Sequence, residues 1–542
     1  MSDELIERAN NARRLALMIV ENRSGPALAA AIPHLHEAAS LFASAGRPVR
    51  QAECLIDCAR VHERLGQHRE AASAYREALP LVEDESDLSL AIAAASGAGQ
   101  ALLALHDSEQ ATALFERAAA LADQVNDHLR LAQVRLDLAR CLLARGEAAA
   151  ARSIATAALA TFSAYRQTQQ RAVCLERLAE AAFQAGDPAE GARLYREAAE
   201  QLHELGRIAE ADAVLARWAD VERDRAAYDN ALRIDRERIA RHEASGNRAL
   251  LAQAFLHLGL IEAKRRDQAA ALAAFQRARA LWEALEDQSS MARADYHIAA
   301  ALIALGERDD ARQRLEQAAA LAAAARDHRT EAEALASLVA VLRAAGDEAG
   351  TAATVQRWVE ALRASGDREQ EIAALGELAE LGRRTGRLDR AEEALREVIA
   401  LCQGDPQRYR VQLVDAHHHL GVLMARRGDL AGGLEQLQRA LALLGEIPAY
   451  ALRAHLRYRI GNCLLRLGRA REAQEQLQEA LAACPDDKLR ARILVDLGNA
   501  QALLGQEESA IDFFEQAARV AEQQGDVRAT QIIRRQSGAL KR

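Results

Sequence analysis

The residues in this chain most capable of chemistry are clustered cysteines and histidines. Cys54, Cys58 and His62 stand at i, i+4 and i+8, one face of a helix and a metal-like set at first sight. At 1.5 Å rise per residue the outer two are ~12 Å apart, so one tetrahedral ion does not hold all three, and they read as packing positions. His417, His418 and His419 run consecutively. Successive helical residues point ~100° apart, so these three do not converge on one ion either. HExxH and GxSxG are absent, and Gly97-Ala98-Gly99 lacks the third glycine and the preceding strand of a dinucleotide site. The only lysines are Lys264, Lys488 and Lys541, none in a GxxxxGK[ST] loop and all in polar surroundings, which leaves neither a P-loop nor a desolvated Schiff-base lysine. The sequence therefore assigns no catalytic, cofactor-binding or metal-ligating residue, and the expectation is a protein that is not an enzyme.

Composition narrows the classes further. Over 542 residues, 50% hydrophobic and 27% charged residues describe a chain that packs rather than one that stays disordered. The net charge of −9 argues against a general nucleic-acid binder, and 4% aromatics supply few platforms for base stacking. Arginine almost replaces lysine, a bias that looks like a high-GC bacterial genome. The opening stretch Met1 to Asn10 is polar and acidic, unlike a secretory signal, and no apolar run approaches the ~18 residues of a membrane span. Seven cysteines, an odd number, read as reduced buried thiols, and the expected location is the cytoplasm.

What must position any functional surface is a repeat. Ala71, Ala111, Ala151, Ala231, Ala271, Ala311 and Ala391 are spaced by 40 residues or multiples of 40. Thirteen units begin at Ala12, Ala52, Ile92, Ala132, Ala172, Asp212, Ala252, Ala292, Ala332, Ile372, Val414, Ala454 and Ala491. Each holds two helical stretches joined by a turn, then a polar link often reading Gly-Asp. Position eight is small, as at Gly99, Gly259, Gly421 and Gly461, so that two helices approach closely. Position 24 is a large knob, as at Tyr75, Phe115, Phe275, Leu437 and Leu477. Position 15 is usually Gly, where the first helix must end in a left-handed conformation. A hairpin of this kind cannot bury its apolar face alone, so the fold class predicted is an all-α solenoid of stacked hairpins.

The pattern resembles the tetratricopeptide repeat, best in Ala454 to Cys484, where Gly461, Leu464, Gly468, Ala473, Leu477 and Ala480 take the motif positions and Pro485 closes the unit. Its 40-residue period departs from the common 34 and is similar to the long-repeat subclass found in sensor regions of bacterial regulators and in spindle-orientation adaptors. The resemblance implies a right-handed superhelix whose first helices line a concave groove for peptides or partner helices. The sixth unit breaks the grammar at Ala226, Asp235 and Arg238, and the ninth at Thr351, Val355 and Trp358. The expected organisation is repeats over 1–206, an irregular sixth repeat and possible hinge at 207–247, repeats over 248–525 and a capping helix over 526–542.

In that family geometry, positions two, five, six, nine, twelve and thirteen of each first helix face the groove. The N-terminal half alternates in sign there (Asp57 with Arg60, Asp137 with Arg140, Arg177 with Glu180, Arg217 with Asp220) and largely neutralises itself. In the C-terminal half, Arg383, Arg384, His418, His419, Arg426, His455, Tyr458, Arg459, Asn462, Arg466, Arg492 and Asn499 outnumber Glu377, Glu380, Asp415 and Asp496. Guanidinium groups with Asn and Tyr donors suit carboxylates and peptide backbone, so this face is the candidate seat for an acidic peptide or a C-terminal tail. The chaperone-type carboxylate clamp is not reproduced, because Asp496 stands where that clamp has Asn. The function expected is a non-catalytic interaction scaffold with a protein or peptide partner, no nucleic acid, no membrane insertion and no cofactor. The alternative is a peptide- or ligand-responsive sensor module acting on another protein.

Overall fold

The computed structural model describes residues 2–23, 25–83, 87–445, 448–484 and 486–540; Met1, Pro485 and Lys541 lie outside the described residues. Among the described residues the chain is helical with no strand, and its helices pair in sequence order. Ser2–Asn22 packs on Ala31–Ser44, and twelve further hairpins follow, the last joining Asp487–Leu503 to Glu507–Gln523 before a final helix, Val527–Leu540. The thirteen units expected from the period are thirteen hairpins. From the second hairpin on, each first helix begins four residues earlier than the apolar pattern does, as His128–Ala144 does relative to Ala132, where His128, Leu129 and Arg130 of the opening turn are exposed.

Two compact units divide the chain, Met1–Leu281 and Trp282–Arg542. In the first, one ladder of buried side chains runs from Ala9 to Ile261. In the second, Val414 to Ala473, Ala454 to Leu497 and Leu494 to Ile533 form overlapping clusters. The sixth hairpin, Ile208–Asp224 with Tyr228–Ser245, lies inside the first unit. In the final helix Ile533 is buried, while Val527 and Ile532 remain exposed.

The seam of each hairpin explains the small residue at position eight. A Cβ built on Gly421 would stand 2.8 Å from Leu437 Cγ, 2.9 Å from the Gly433 carbonyl oxygen and 3.1 Å from the Leu437 nitrogen. The same contact recurs between Gly99 and Phe115 and between Gly498 and Phe514. By contrast, a Cβ on Gly376, on the exposed side of helix Arg368–Arg384, would meet nothing within 4 Å. Opposite signs are therefore expected from one chemical change. Gly421→Ala should destabilise the second unit by about 1–3 kcal/mol, because backbone atoms must move apart. Gly376→Ala should stabilise it by up to ~1 kcal/mol through helix propensity alone. Urea unfolding followed by helical circular dichroism decides this, and equal effects at the two sites would refute the seam.

Helix ends follow from the turn chemistry. Gly66 takes φ +72° and its N–H donates to the Glu63 carbonyl, while the Gln67 N–H donates to that of His62, which satisfies the orphan carbonyls. The Gly-Asp link continues the logic, since the Asp after a left-handed residue caps the next helix: Asp347 Oδ1 accepts the Gly350 N–H at 2.8 Å. Ala226 and Arg266 hold the left-handed conformation without glycine, at φ +59° and +72°.

The irregular sixth hairpin is filled by ions. Asp235 replaces the knob and is fully buried, and Arg238, 3% exposed, replaces the small residue. Arg238 Nε and Nη2 donate to Asp212 at 2.9 and 2.6 Å, and Nη1 donates to Asp235 Oδ1 at 2.7 Å. His242 Nε2 lies 2.7 Å from Asp212 Oδ1. His257, from the next hairpin, bridges Asp235 Oδ2 at 2.7 Å and Asp220 Oδ1 at 3.0 Å. Every oxygen of the two buried carboxylates is engaged, which is the condition for tolerating charge in a core. The ninth hairpin departs less: the Thr351 hydroxyl donates to the Asp347 carbonyl at 2.6 Å and Val355 is buried in the knob position.

Candidate functional site

All seven cysteines are free and buried, and burial pushes the Cys54 thiol up to about 12 and Cys141 up to about 11, so neither is a poised thiolate. Lys264 and Lys488 are exposed. No helix among the described residues is long and apolar enough to cross a membrane.

Within the second unit, the residues at the groove positions of the tenth and eleventh hairpins line two adjacent cavities of about 200 Å³ each. One has an apolar floor of Ile372, Ala379, Leu395, Val398 and Leu423, with Glu380, Arg383, Gln412, Asp415 and His419 at its edge. The other is lined by Arg383, Leu388, His418, His419, Val422, Leu423, Arg426 and Arg459. Arg383, His419 and Leu423 belong to both. A cofactor or drug-sized ligand typically occupies ~300 Å³ or more, so each cavity is scaled to a side chain. A third, more open cavity of about 470 Å³ is lined by Tyr458, Arg492, Asp496 and the inner face of the final helix, including Ile532 and Ile533.

The electrostatics sort the twelve candidate residues. Arg383 makes a two-point contact with Glu380, at 2.9 and 2.6 Å, and Arg384 donates to Glu348 at 2.9 Å, so both guanidinium groups already hold carboxylates. Asn462 donates to Asp496 at 2.9 Å and Asn499 does so at 3.5 Å. Asp496 thus occupies the amides that an incoming peptide would need, and burial raises its pKa. Arg466 donates to the Ala425 carbonyl at 3.2 Å. Arg426 and Arg492 are exposed and have no ion pair among the described residues, and Arg459 stacks over the Tyr458 ring at 5.7 Å. His418 and His419 stack with ring centroids 5.1 Å apart. Burial, then the positive field of His419, Arg459 and His455, lowers the His418 pKa to about 4, so its imidazole is neutral at neutral pH. His417 points away, buried and 2.8 Å from Gln436 Oε1. Among the described residues the positive charge on this face without a carboxylate partner is that of Arg426, Arg459, Arg466 and Arg492, beside exposed His419 and His455.

In the N-terminal half two of the four expected i, i+3 pairs form, Asp57 with Arg60 at 3.5 Å and Arg177 with Glu180 at 2.6 Å. Asp137 instead accepts from Gln100, and Arg217 turns to Glu176 of the preceding hairpin while Asp220 holds His257. Asp57 is bound more closely by Arg13, at 2.8 Å, than by Arg60.

Residues 452–523, within the hairpins that show the small-residue seam in full, match the Tetratricopeptide repeat family. That stretch of the chain carries tetratricopeptide repeats. No curated protein matches it in sequence. Among solved structures, MamA is 18% identical, over 36% of this chain and 94% of its own, with a TM-score of 0.30. YrrB, described as a TPR protein with an unusual peptide-binding site, is 16% identical, over 37% and 91%, with a TM-score of 0.29.

Proposed function

We propose that this chain is a non-catalytic interaction scaffold whose second unit seats a partner segment presenting a large apolar side chain beside acidic groups. The observation that carries the reading is the pair of side-chain-sized cavities sharing Arg383, His419 and Leu423, one apolar and one edged by Arg426 and Arg459. The apolar cavity supplies an anchor, and guanidinium groups without carboxylate partners supply charge complementarity beside it. A preformed face of stacked helices pays little ordering entropy, so a short segment collects contacts from adjacent repeats. Arg383, Arg384, Asn462 and Asn499 support the shape of this face through their internal partners, and recognition is assigned to His419, Arg426, Arg459 and the apolar floor.

Selection of peptides from a displayed random library on the full chain tests this. The expected peptides are enriched in Asp and Glu around one large apolar residue, and lose at least tenfold in affinity, about 1.4 kcal/mol, for folded Arg426→Glu/Arg459→Glu protein. Peptides without acidic enrichment, or bound equally by the variant, would overturn the assignment.

A further inference from the structure

The first two hairpins bring together three groups that the repeat grammar does not require. Cys58 and His62 stand four residues apart on Pro48–Arg64, so their side chains leave one helix face on successive turns. His36, from the neighbouring helix Ala31–Ser44, reaches the same point. One ligand atom from each of the three lies within 4.8 Å of the others, and Cys58 Sγ is 3.6 Å from His36 Nε2. Tetrahedral zinc holds sulfur at ~2.3 Å and imidazole nitrogen at ~2.0–2.1 Å, which makes the sulfur–nitrogen edge of its coordination shell about 3.6 Å. Cys58 and His36 already stand at that spacing, and His62 lies close enough to complete the set by a small side-chain adjustment.

We propose that His36, Cys58 and His62 bind a divalent transition-metal ion of the zinc class.

The surroundings supply what such a site needs beyond its ligands. His62 Nδ1 lies 2.7 Å from Gln67 Oε1. A side-chain amide oxygen only accepts, so Nδ1 carries the proton and Nε2 presents its lone pair, the arrangement of a metal-bound imidazole whose other nitrogen is held by an outer partner. Cys58 and His62 are buried and His36 is exposed, which gives the ion anchored ligands on one side and access from solvent on the other. Burial, then the carboxylates of Glu77 and Asp57, pushes the Cys58 thiol up to about 11, so the bound cation itself must displace the proton. Two imidazoles and a thiolate select zinc or cobalt over magnesium or calcium, which take oxygen ligands. Loading forms one metal–sulfur and two metal–nitrogen bonds, releases the Cys58 thiol proton to solvent and leaves a fourth position for water; no electron is transferred. The sequence placed no metal here because it set Cys54 beside Cys58 and His62, whereas the third ligand comes from the preceding hairpin.

Titration of the full, metal-stripped chain with Co²⁺ tests the site. One equivalent is expected to produce a sulfur-to-cobalt charge-transfer band with intense tetrahedral d–d bands, and one equivalent of Zn²⁺ to abolish them. Cys58→Ser should remove the charge-transfer band. His36→Gln and Gln67→Ala lie outside the core and should keep the wild-type helical spectrum while weakening Co²⁺ binding roughly 10–100-fold. No band in the wild type would show that Cys58 S–H simply donates to His36, and would overturn the proposal. So would a band that survives Cys58→Ser, or unchanged binding by His36→Gln.

Discussion

Arg238→Met is expected to destabilise the first unit by about 3–5 kcal/mol, among the largest effects available to a single substitution in this chain. The side chain introduced is similar in length and apolar, so the loss is electrostatic rather than volumetric. Asp212 and Asp235 would remain in the core without the guanidinium that donates to them at 2.6 to 2.9 Å. An isolated buried carboxylate costs far more than the hydrogen bonds it once made, because its solvation is not recovered. Urea unfolding followed by circular dichroism should show the transition of the first unit moving to lower denaturant. A control, Arg241→Met, removes only an exposed contact with Glu237 at 2.6 Å and should change stability by less than ~1 kcal/mol. Equal shifts in the two variants would refute the account.

The same network yields a rescue. In most other repeats the positions of Asp212, Asp235 and Arg238 hold Ala, a large apolar knob and Ala. Asp212→Ala, Asp235→Leu, Arg238→Ala and His242→Leu together are expected to recover most of the loss, because a buried ion cluster replaced by packed apolar groups is often neutral or stabilising. The cost therefore belongs to breaking the cluster and not to lacking it. The charges in the sixth hairpin are an alternative filling of the same seam.

The contrast between what one helix shows and what two hairpins show explains which features were legible in the sequence. Small residues at position eight, knobs at position 24 and glycine at the turn repeat in register, so the hairpin, its seam and its ends could be read directly. Gly421 against Leu437 and Gly66 at φ +72° are those readings in atomic form. Pairings between repeats were not read, because charges were matched three residues apart along one helix. Arg217 was set against Asp220 in this way, yet it binds Glu176, 41 residues back. Arg13 reaches Asp57, 44 residues on, and Arg384 reaches Glu348, 36 residues back. These separations are one period give or take a turn of helix, so the ruler that reveals the fold also predicts cross-repeat ion pairs. The same blindness affected the candidate face. Arg383, Arg384, Asn462 and Asn499 were counted as available donors, and the structure gives each a carboxylate partner. Their residue types were visible in the sequence, but their partners became visible only with the neighbouring helix in place.

His257 makes the first unit sensitive to pH in a direction opposite to acid denaturation. It sits between Asp235 Oδ2 and Asp220 Oδ1, with Arg238 on the far side of Asp235. Burial acts to lower its pKa, but the two carboxylate contacts and the charge of Asp235 outweigh burial and Arg238, and raise it to about 9. The unfolded chain titrates near 6.5. Between these values the native state keeps a proton that the unfolded state has lost, so stability falls as pH rises. The contribution is fully present below about pH 6.5 and is lost through about pH 9, on the order of 3 kcal/mol for a shift of this size in a largely buried ring. Asp220 and Asp212 have lowered pKa values, so their share runs the other way: it is present above the ordinary carboxylate range and lost in acid. Stability of the first unit should therefore peak in the mildly acidic to neutral range. Urea midpoints measured from pH 6 to pH 9.5 should decline in the wild type. In His257→Asn, which keeps a donor toward Asp235 but carries no titrating charge, that decline should flatten while the loss below pH 4 remains. A wild-type profile that is level from pH 6.5 to 9 would mean that the native cluster keeps no extra proton in that range and that His257 is neutral in the folded protein.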